Sequence, residues 1–210
     1  MPLMFDMPME RLKTYTGRNP CPVDFDMFWD SSLARMREID PKVEIVPDEF
    51  QTPFAECSHL YFTGVGNARI HAKLLKPRNA AQPHPAVLMF HGYSGSCGDW
   101  LDKLGYAALG YTVAALDCRG QGGLSEDTGG VGGWTLRGHI IRGLDDAPEK
   151  MLFHQVFLDT AQLAKIVMEM PDVDPARVGV RGGSQGGGLT LACAALEPRV
   201  KRVAPVYPFL

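Results

Sequence analysis

No stretch of this 210-residue sequence approaches the roughly 20 consecutive apolar residues that a membrane-crossing helix needs, so no membrane partner is expected. Met1 to Glu10 carries acids and prolines where a secretory signal needs a basic region followed by an apolar run, and a cytoplasmic location is the expectation. Basic clusters are missing too. A formal net charge of -3 offers no electrostatic footprint for nucleic acid and suits neutral or small substrates better. The five cysteines, Cys21, Cys57, Cys97, Cys118 and Cys193, form no CxxC pair. Reduced, mostly packed thiols are therefore favoured over disulfides, and no metal site is expected. Internal repeats and low-complexity tracts are absent as well.

What is present is the composition of a folded domain. The hydrophobic fraction is 45% and the charged fraction 21%, in a chain long enough to bury a core. Residues 1-210 are expected to form one domain, with 1-41 as an N-terminal helical cap segment and 42-210 as the sheet core.

Between Pro22 and Pro41, Phe25, Phe28, Trp29, Ser32 and Met36 fall on one face of a helix running from Asp24 to Ile39. Val43 to Val46, Cys57 to Thr63 and Ala68 to Leu75 then read as antiparallel strands, the last two joined by a tight turn over Gly64 to Asn67. From Pro85 the pattern changes. Ala86 to Phe90, Tyr111 to Leu116, Val178 to Val180 and Val203 to Val206 are nearly unbroken apolar runs, as in strands buried on both faces of a parallel sheet. Helices are expected between them. One is capped by Asp99, turns Trp100, Leu101, Leu104, Ala107 and Ala108 inward, and stops at Gly110. A longer one from about Glu149 to Met170 buries Val156, Leu163, Val167 and Met170. Such alternation predicts an α/β, doubly wound, mostly parallel sheet with an antiparallel start. The glycine-rich stretch Gly120 to Gly138 reads as an ordered rim loop.

Chemistry concentrates in three places. Gly182-Gly183-Ser184-Gln185-Gly186 is a G-x-S-x-G sequence at a strand-to-helix junction, where a serine is forced into a strained turn that lifts its hydroxyl above the sheet. Gly182 and Gly186 are needed there because side chains would collide. The Gln185 amide then points from a helix N-terminus at a developing oxyanion. A phosphate loop would need Lys-Ser/Thr after the glycines, and a dinucleotide site G-x-G-x-x-G; neither is present. A structural glycine turn with an incidental serine is the remaining bland reading. Secondly, His91-Gly92-Tyr93-Ser94-Gly95 follows the first parallel strand, where a second oxyanion amide is donated. Tyr93 is the candidate donor, a packing aromatic the alternative, and His91 is read as ordering the loop rather than as a base. Thirdly, Asp117-Cys118-Arg119-Gly120-Gln121 closes the next strand; Arg119 is favoured as a fastener of this loop over a substrate contact.

In this order the motifs resemble carbohydrate esterase family seven, the acetyl xylan esterase and cephalosporin C deacetylase group of α/β hydrolases. The Arg119-Gly120-Gln121 triplet, the Gly182 to Gly186 elbow with glutamine after serine, and the His91 to Gly95 loop carry the resemblance. The Pro2-Leu3 to Leu12 segment, Asp24 to Trp29 and Asp174 to Val180 are similar too. It implies a serine esterase that deacetylates small esters, including acetylated xylo-oligosaccharides and cephalosporin C, with no cofactor. Ser184 would be the nucleophile, and Tyr93 and Gln185 the oxyanion donors, with His91, Gly92, Arg119, Gln121, Gly182 and Gly186 supporting the site. The resemblance also implies an intracellular hexamer.

One requirement of the chemistry is missing. Serine needs a base held by an acid, and in this fold the order is serine, then Asp or Glu, then histidine. From Gln185 to Leu210 there is no histidine and no aspartate, and Glu197 is the lone acid. The expectation is an α/β-hydrolase fold short of its last two strands, with Val206, Tyr207, Phe209 and Leu210 on an uncovered edge strand and a C-terminal segment or second chain completing it. His91 and His139 are the histidines nearest the rim, and neither follows the fold's order. Two competitors stay open: a catalytically incompetent fragment that needs a partner segment, and another acyl hydrolase, such as a thioesterase, dienelactone hydrolase or peptidase relative.

Overall fold

The computed structural model describes residues 7–128 and 141–209. Pro2, Leu3, His139 and positions 129–138 of the glycine-rich loop lie outside them. After a short helix α1 (Met9–Leu12), the order is α2 (Phe25–Glu38), β1 (Glu44–Pro47), β2 (Ala55–Thr63), β3 (Arg69–Pro77), β4 (His84–Phe90), α3 (Leu101–Ala108), β5 (Thr112–Leu116), α4 (Leu152–Met168), β6 (Val173–Gly183), α5 (Gln185–Leu196) and β7 (Arg202–Val206). The strands form one sheet in the order β1-β2-β3-β5-β4-β6-β7. β1, β2, β3 and β5 pair antiparallel in turn, whereas β5, β4, β6 and β7 run parallel. A mostly parallel sheet with an antiparallel start is what the apolar runs predict.

Alternation along the strands divides the core into two layers. Cys57, Leu75, Val87 and Val113 face one side and pack with Trp100 and Ala107 beside α3. Their neighbours Leu60, Leu74, Leu88, Ala114, Val178 and Val180 face the other side, under α4 and α5. Val156, Leu163, Val167 and Met170 are all buried there, as the helical periodicity requires. α2 closes the outside of α4: Met36 packs with Leu158, Ala161 and Leu196, and Trp29 and Leu33 lie against them.

Three details differ from the sequence reading. On α3, Leu101 is 67% exposed and Ala108 is exposed too, while Lys103 is buried, because the Lys103 ammonium donates to the Asp99 carbonyl at 2.6 Å and its methylene stem fills the interior position. Phe25 is exposed at the open end of α2. β6 begins at Val173 rather than Val178, since His84 of β4 already pairs with Val173. β7 pairs with β6 alone among the described strands, and Val203, Val206, Tyr207 and Phe209 are all exposed. None of the described helices is long and apolar enough to cross a membrane.

Candidate active site

β6 ends at Gly183 and α5 begins at Gln185, so Ser184 alone makes the turn between them. Its backbone takes φ 54° and ψ -123°, a left-handed conformation that costs a β-carbon-bearing residue roughly 1–3 kcal/mol. Ladder and helix bonds hold it there: the Ser184 amide donates to the Val206 carbonyl at 3.0 Å, and the Ser184 carbonyl accepts from Gly188 and Phe209. Backbone crowding explains the flanking glycines. A β-carbon on Gly182 would sit 2.4 Å from the Gly186 carbonyl oxygen, and one on Gly186 would sit 2.1 Å from that of Phe90.

The end of β4 lies beside this turn. A β-carbon on Gly92 would be 4.0 Å from that of Ser184, which places the loop carrying Tyr93 at the serine. Ser94 also has a positive φ, 59°, and the Gly95 amide closes a turn onto the Gly92 carbonyl. His91 uses both ring nitrogens within the scaffold: Nδ1–H donates to the Gly92 carbonyl at 2.7 Å, and Nε2 accepts the Cys118 amide at 2.9 Å. Burial pushes its imidazole below the ordinary histidine range, consistent with a neutral ring. In this arrangement neither nitrogen is free to receive a proton from Ser184.

Gln121 couples the two sides. Its Oε1 accepts the Ser94 amide at 2.7 Å, while its Nε2 donates to Gln185 Oε1 at 3.0 Å and Gln185 Nε2 donates back to Gln121 Oε1 at 3.2 Å. The loop after β4 and the first residue of α5 are thereby tied through one buried side-chain pair. Arg119, fully buried, is a fastener: it forks onto Asp159 of α4 and donates to Gln155 and to the Val65 carbonyl. The sequence reading found Arg119 but not Asp159, although an acid in the apolar run of α4 was a usable signal.

Among the described residues no histidine nitrogen bonds to the Ser184 hydroxyl. Glu197 caps the end of α5, about 20 Å along the helix from the serine, and pairs with Arg199. An apolar cavity of about 260 Å³ lies next to the elbow, walled by Phe28, Trp29, Met151, Phe157, Gln185 and Leu189. A larger one, about 430 Å³, is lined by Pro83, His84 and Arg177 at the start of β4, roughly 20 Å from His91 and so remote from the serine. A ring nitrogen of His71, the Cys97 sulfur and an Asp117 oxygen lie within 4.8 Å of one another. Hydrogen bonds from His71, Cys97 and Leu124 already occupy the Asp117 carboxylate, which leaves a bonded cluster rather than an open ligand set.

A family model described as acetyl xylan esterase (AXE1) matches residues 1–210. The chain belongs to the acetyl xylan esterase family. It is 63% identical to the solved acetyl xylan esterase 1 from Thermoanaerobacterium sp. JW/SL YS485, with a TM-score of 0.92, over 98% of this chain and 65% of that one. An acetyl xylan esterase structure from Paenibacillus sp. R4 is 32% identical with a TM-score of 0.87, over 97% and 65%. Acetyl esterase Axe7A of Xylanibacter ruminicola is 29% identical over 96% of this chain and 46% of its own length. The chain thus spans about half the length of that curated relative and about two-thirds of the solved ones. The sheet described above is the corresponding part of the family's α/β-hydrolase fold.

Proposed function

We propose that this chain carries the nucleophile and oxyanion side of a serine acetyl esterase acting on acetylated xylo-oligosaccharides, cephalosporin C and similar small esters. The observation that carries the reading is the strained Ser184 turn at the N-terminus of α5, beside the Gly92 loop. The Ser184 hydroxyl attacks the acetyl carbonyl, giving its proton to a histidine base. The carbonyl oxygen, as it gains charge, is held by the Tyr93 and Gln185 amides, each worth roughly 3 kcal/mol in such a site. The alcohol leaves with the returned proton, and water releases acetate from the acyl-serine. No metal or organic cofactor takes part. The base and its acid come from the third of the relatives' fold that this chain does not cover, supplied by a C-terminal segment or complementing chain. The assembly is a cytoplasmic hexamer, as the family resemblance implies.

A second reading, an inert fragment, is favoured by one observation: no described histidine is hydrogen-bonded to Ser184. Labelling by a fluorophosphonate separates the two. Stoichiometric modification of the 210-residue chain, abolished by Ser184→Ala, excludes the inert fragment. Labelling that starts only when a C-terminal segment is supplied supports complementation, and no labelling under either condition overturns the esterase reading. A panel of acetyl, butyryl and peptide substrates then distinguishes a deacetylase from a thioesterase, dienelactone hydrolase or peptidase relative.

A further inference from the structure

Behind the loop that carries Tyr93 runs a line of four side chains that the esterase chemistry does not use. Asp48 Oδ2 lies 2.7 Å from His59 Nε2, His59 Nδ1 lies 2.8 Å from His71 Nε2, and His71 Nδ1 lies 2.6 Å from Asp117 Oδ2. His71 and Asp117 are 1% exposed, and Asp48 and His59, at the outer end, have side chains 22% exposed. Hairpin pairing brings the imidazoles together: His59 opposes Lys73 and His71 opposes Tyr61, so the histidines are diagonal neighbours on one face.

The three contacts need three hydrogens. Asp48 is held below the usual carboxylate range, chiefly by the Phe50 amide. For Asp117, burial pushes upward, but hydrogen bonds from His71, Leu124 and Cys97 outweigh it and hold the carboxyl far down. Both ends are therefore ionised acceptors, and every hydrogen must sit on an imidazole nitrogen. Two neutral imidazoles carry two such hydrogens between them.

The geometry points to a third: we infer that His59 and His71 share one extra proton, held between Asp48 and Asp117, and that this charged relay is a positioning element for the loop bearing Tyr93, beside Gln121 and His91.

The other titratable groups facing the relay are Cys57 and Tyr61 on β2, Lys73 on β3, His91 and Cys97 after β4, and Cys118 after β5. None supplies a competing charge inside the line. Lys73 donates to the Gly98 carbonyl at 2.6 Å, and burial raises all three thiols, Cys97 to about 12. The link to the site runs through Asp117. Its Oδ1 accepts the Cys97 amide at 2.5 Å and its Oδ2 the Leu124 amide at 2.9 Å, so one carboxylate clamps the loop after β4 and the loop after β5. Gly123 packs flat on it, since a β-carbon there would lie 2.0 Å from Asp117 Cγ. Asp117 and His71 are thus positioning residues that act through Cys97, three positions beyond the Gly92 to Ser94 turn.

The positioning half of this inference rests on the esterase reading of the Tyr93 loop; the proton count does not. Nitrogen-15 spectra of histidine-labelled protein, assigned through His59→Asn and His71→Asn, are expected to show three protonated ring nitrogens in the pair near neutral pH. Two protonated nitrogens overturn the shared proton. In amide hydrogen exchange, His59→Asn is expected to lower Cys97 and Leu124 protection about tenfold or more, the loss of a charge-assisted hydrogen bond, while Val87 to Met89 of β4 are unchanged. Equal protection of Cys97 in the parent and the variant overturns the positioning role. If His59→Asn unfolds the sheet, Asp48→Asn at the outer end reads the same two quantities. Neither measurement reads esterase activity, so failure here is distinct from failure of Ser184 to label.

Discussion

Arg119 and Asp159 meet through two parallel hydrogen bonds, Nε to Oδ2 at 2.7 Å and Nη2 to Oδ1 at 2.6 Å, with neither side chain more than 2% exposed. The pair joins the loop after β5 to the middle of α4, and it does so in a setting where an isolated charge is costly. Burial pushes the Asp159 carboxyl up while Arg119 opposes the shift. Removing one partner leaves the other charge uncompensated. Asp159→Asn and Arg119→Ala are each expected to lower unfolding free energy by about 3–5 kcal/mol, read from urea denaturation. Replacing both with apolar residues of similar volume should recover much of the loss. A double variant as unstable as either single one would show that the pair is not the source.

Gln121 has a narrower task. Its side chain touches the Ser94 amide and the Gln185 side chain, so Gln121→Ala unties the loop from the helix without removing a charge. The expected result is a fluorophosphonate labelling rate at Ser184 lowered roughly ten- to hundredfold, the scale of a small misplacement of reacting groups, measured under whichever condition supports labelling of the parent. An unchanged rate would mean that the Gln121 side chain is not needed to hold the two sides of the oxyanion site together.

The difference between these two residues marks how far the sequence could be read. Strands β4 and β5 were visible because burial on both faces demands unbroken apolar runs, and the Ser184 turn because only a few residue types satisfy a left-handed bend between a strand and a helix. Arg119 was visible as a residue, yet its partner was not, because Asp159 lies forty positions on and the contact depends on how α4 crosses the sheet. His59 and His71 were placed on their strands, but a relay needs register, and Asp117 enters it only through the β3–β5 pairing. The face of α3 was misread for a simpler reason. Periodicity of apolar residues takes no account of a lysine that buries its stem and bonds its ammonium to a carbonyl.

Two glycines in helical segments test whether close approach or propensity governs them. A methyl at Gly186 would lie 2.1 Å from the Phe90 carbonyl oxygen and 2.9 Å from that of His91, both backbone atoms that cannot swing aside. Gly105 sits exposed in the interior of α3 with nothing within 4 Å of a β-carbon. Gly186→Ala is therefore expected to destabilise by about 3 kcal/mol or more through overpacking, whereas Gly105→Ala should stabilise by roughly 0.5–1 kcal/mol through helix propensity. Thermal unfolding of the two variants beside the parent checks the signs.

Acid sensitivity should trace largely to Asp117. A carboxyl whose folded value lies below its unfolded one, near 3.9 for aspartate, contributes stability that is present above the unfolded value and is lost as pH falls toward the folded one. For Asp117 the contribution should be complete at neutral pH and decline progressively below about pH 5. His84 and His154, whose imidazoles burial pushes down, cost stability on acidification in both proteins alike, whereas His91, also pushed down by burial, feels the Asp117 charge and adds a small difference between them. The comparison that isolates Asp117 is urea unfolding of the parent and Asp117→Asn from neutral pH to about pH 2. The variant is expected to begin less stable and to fall less steeply, so that the two curves converge in acid. A residual slope should remain from Asp48, which the Phe50 amide and His59 hold low at the other end of the relay. Curves that stay parallel throughout would remove Asp117 as the acid-labile anchor of the two rim loops.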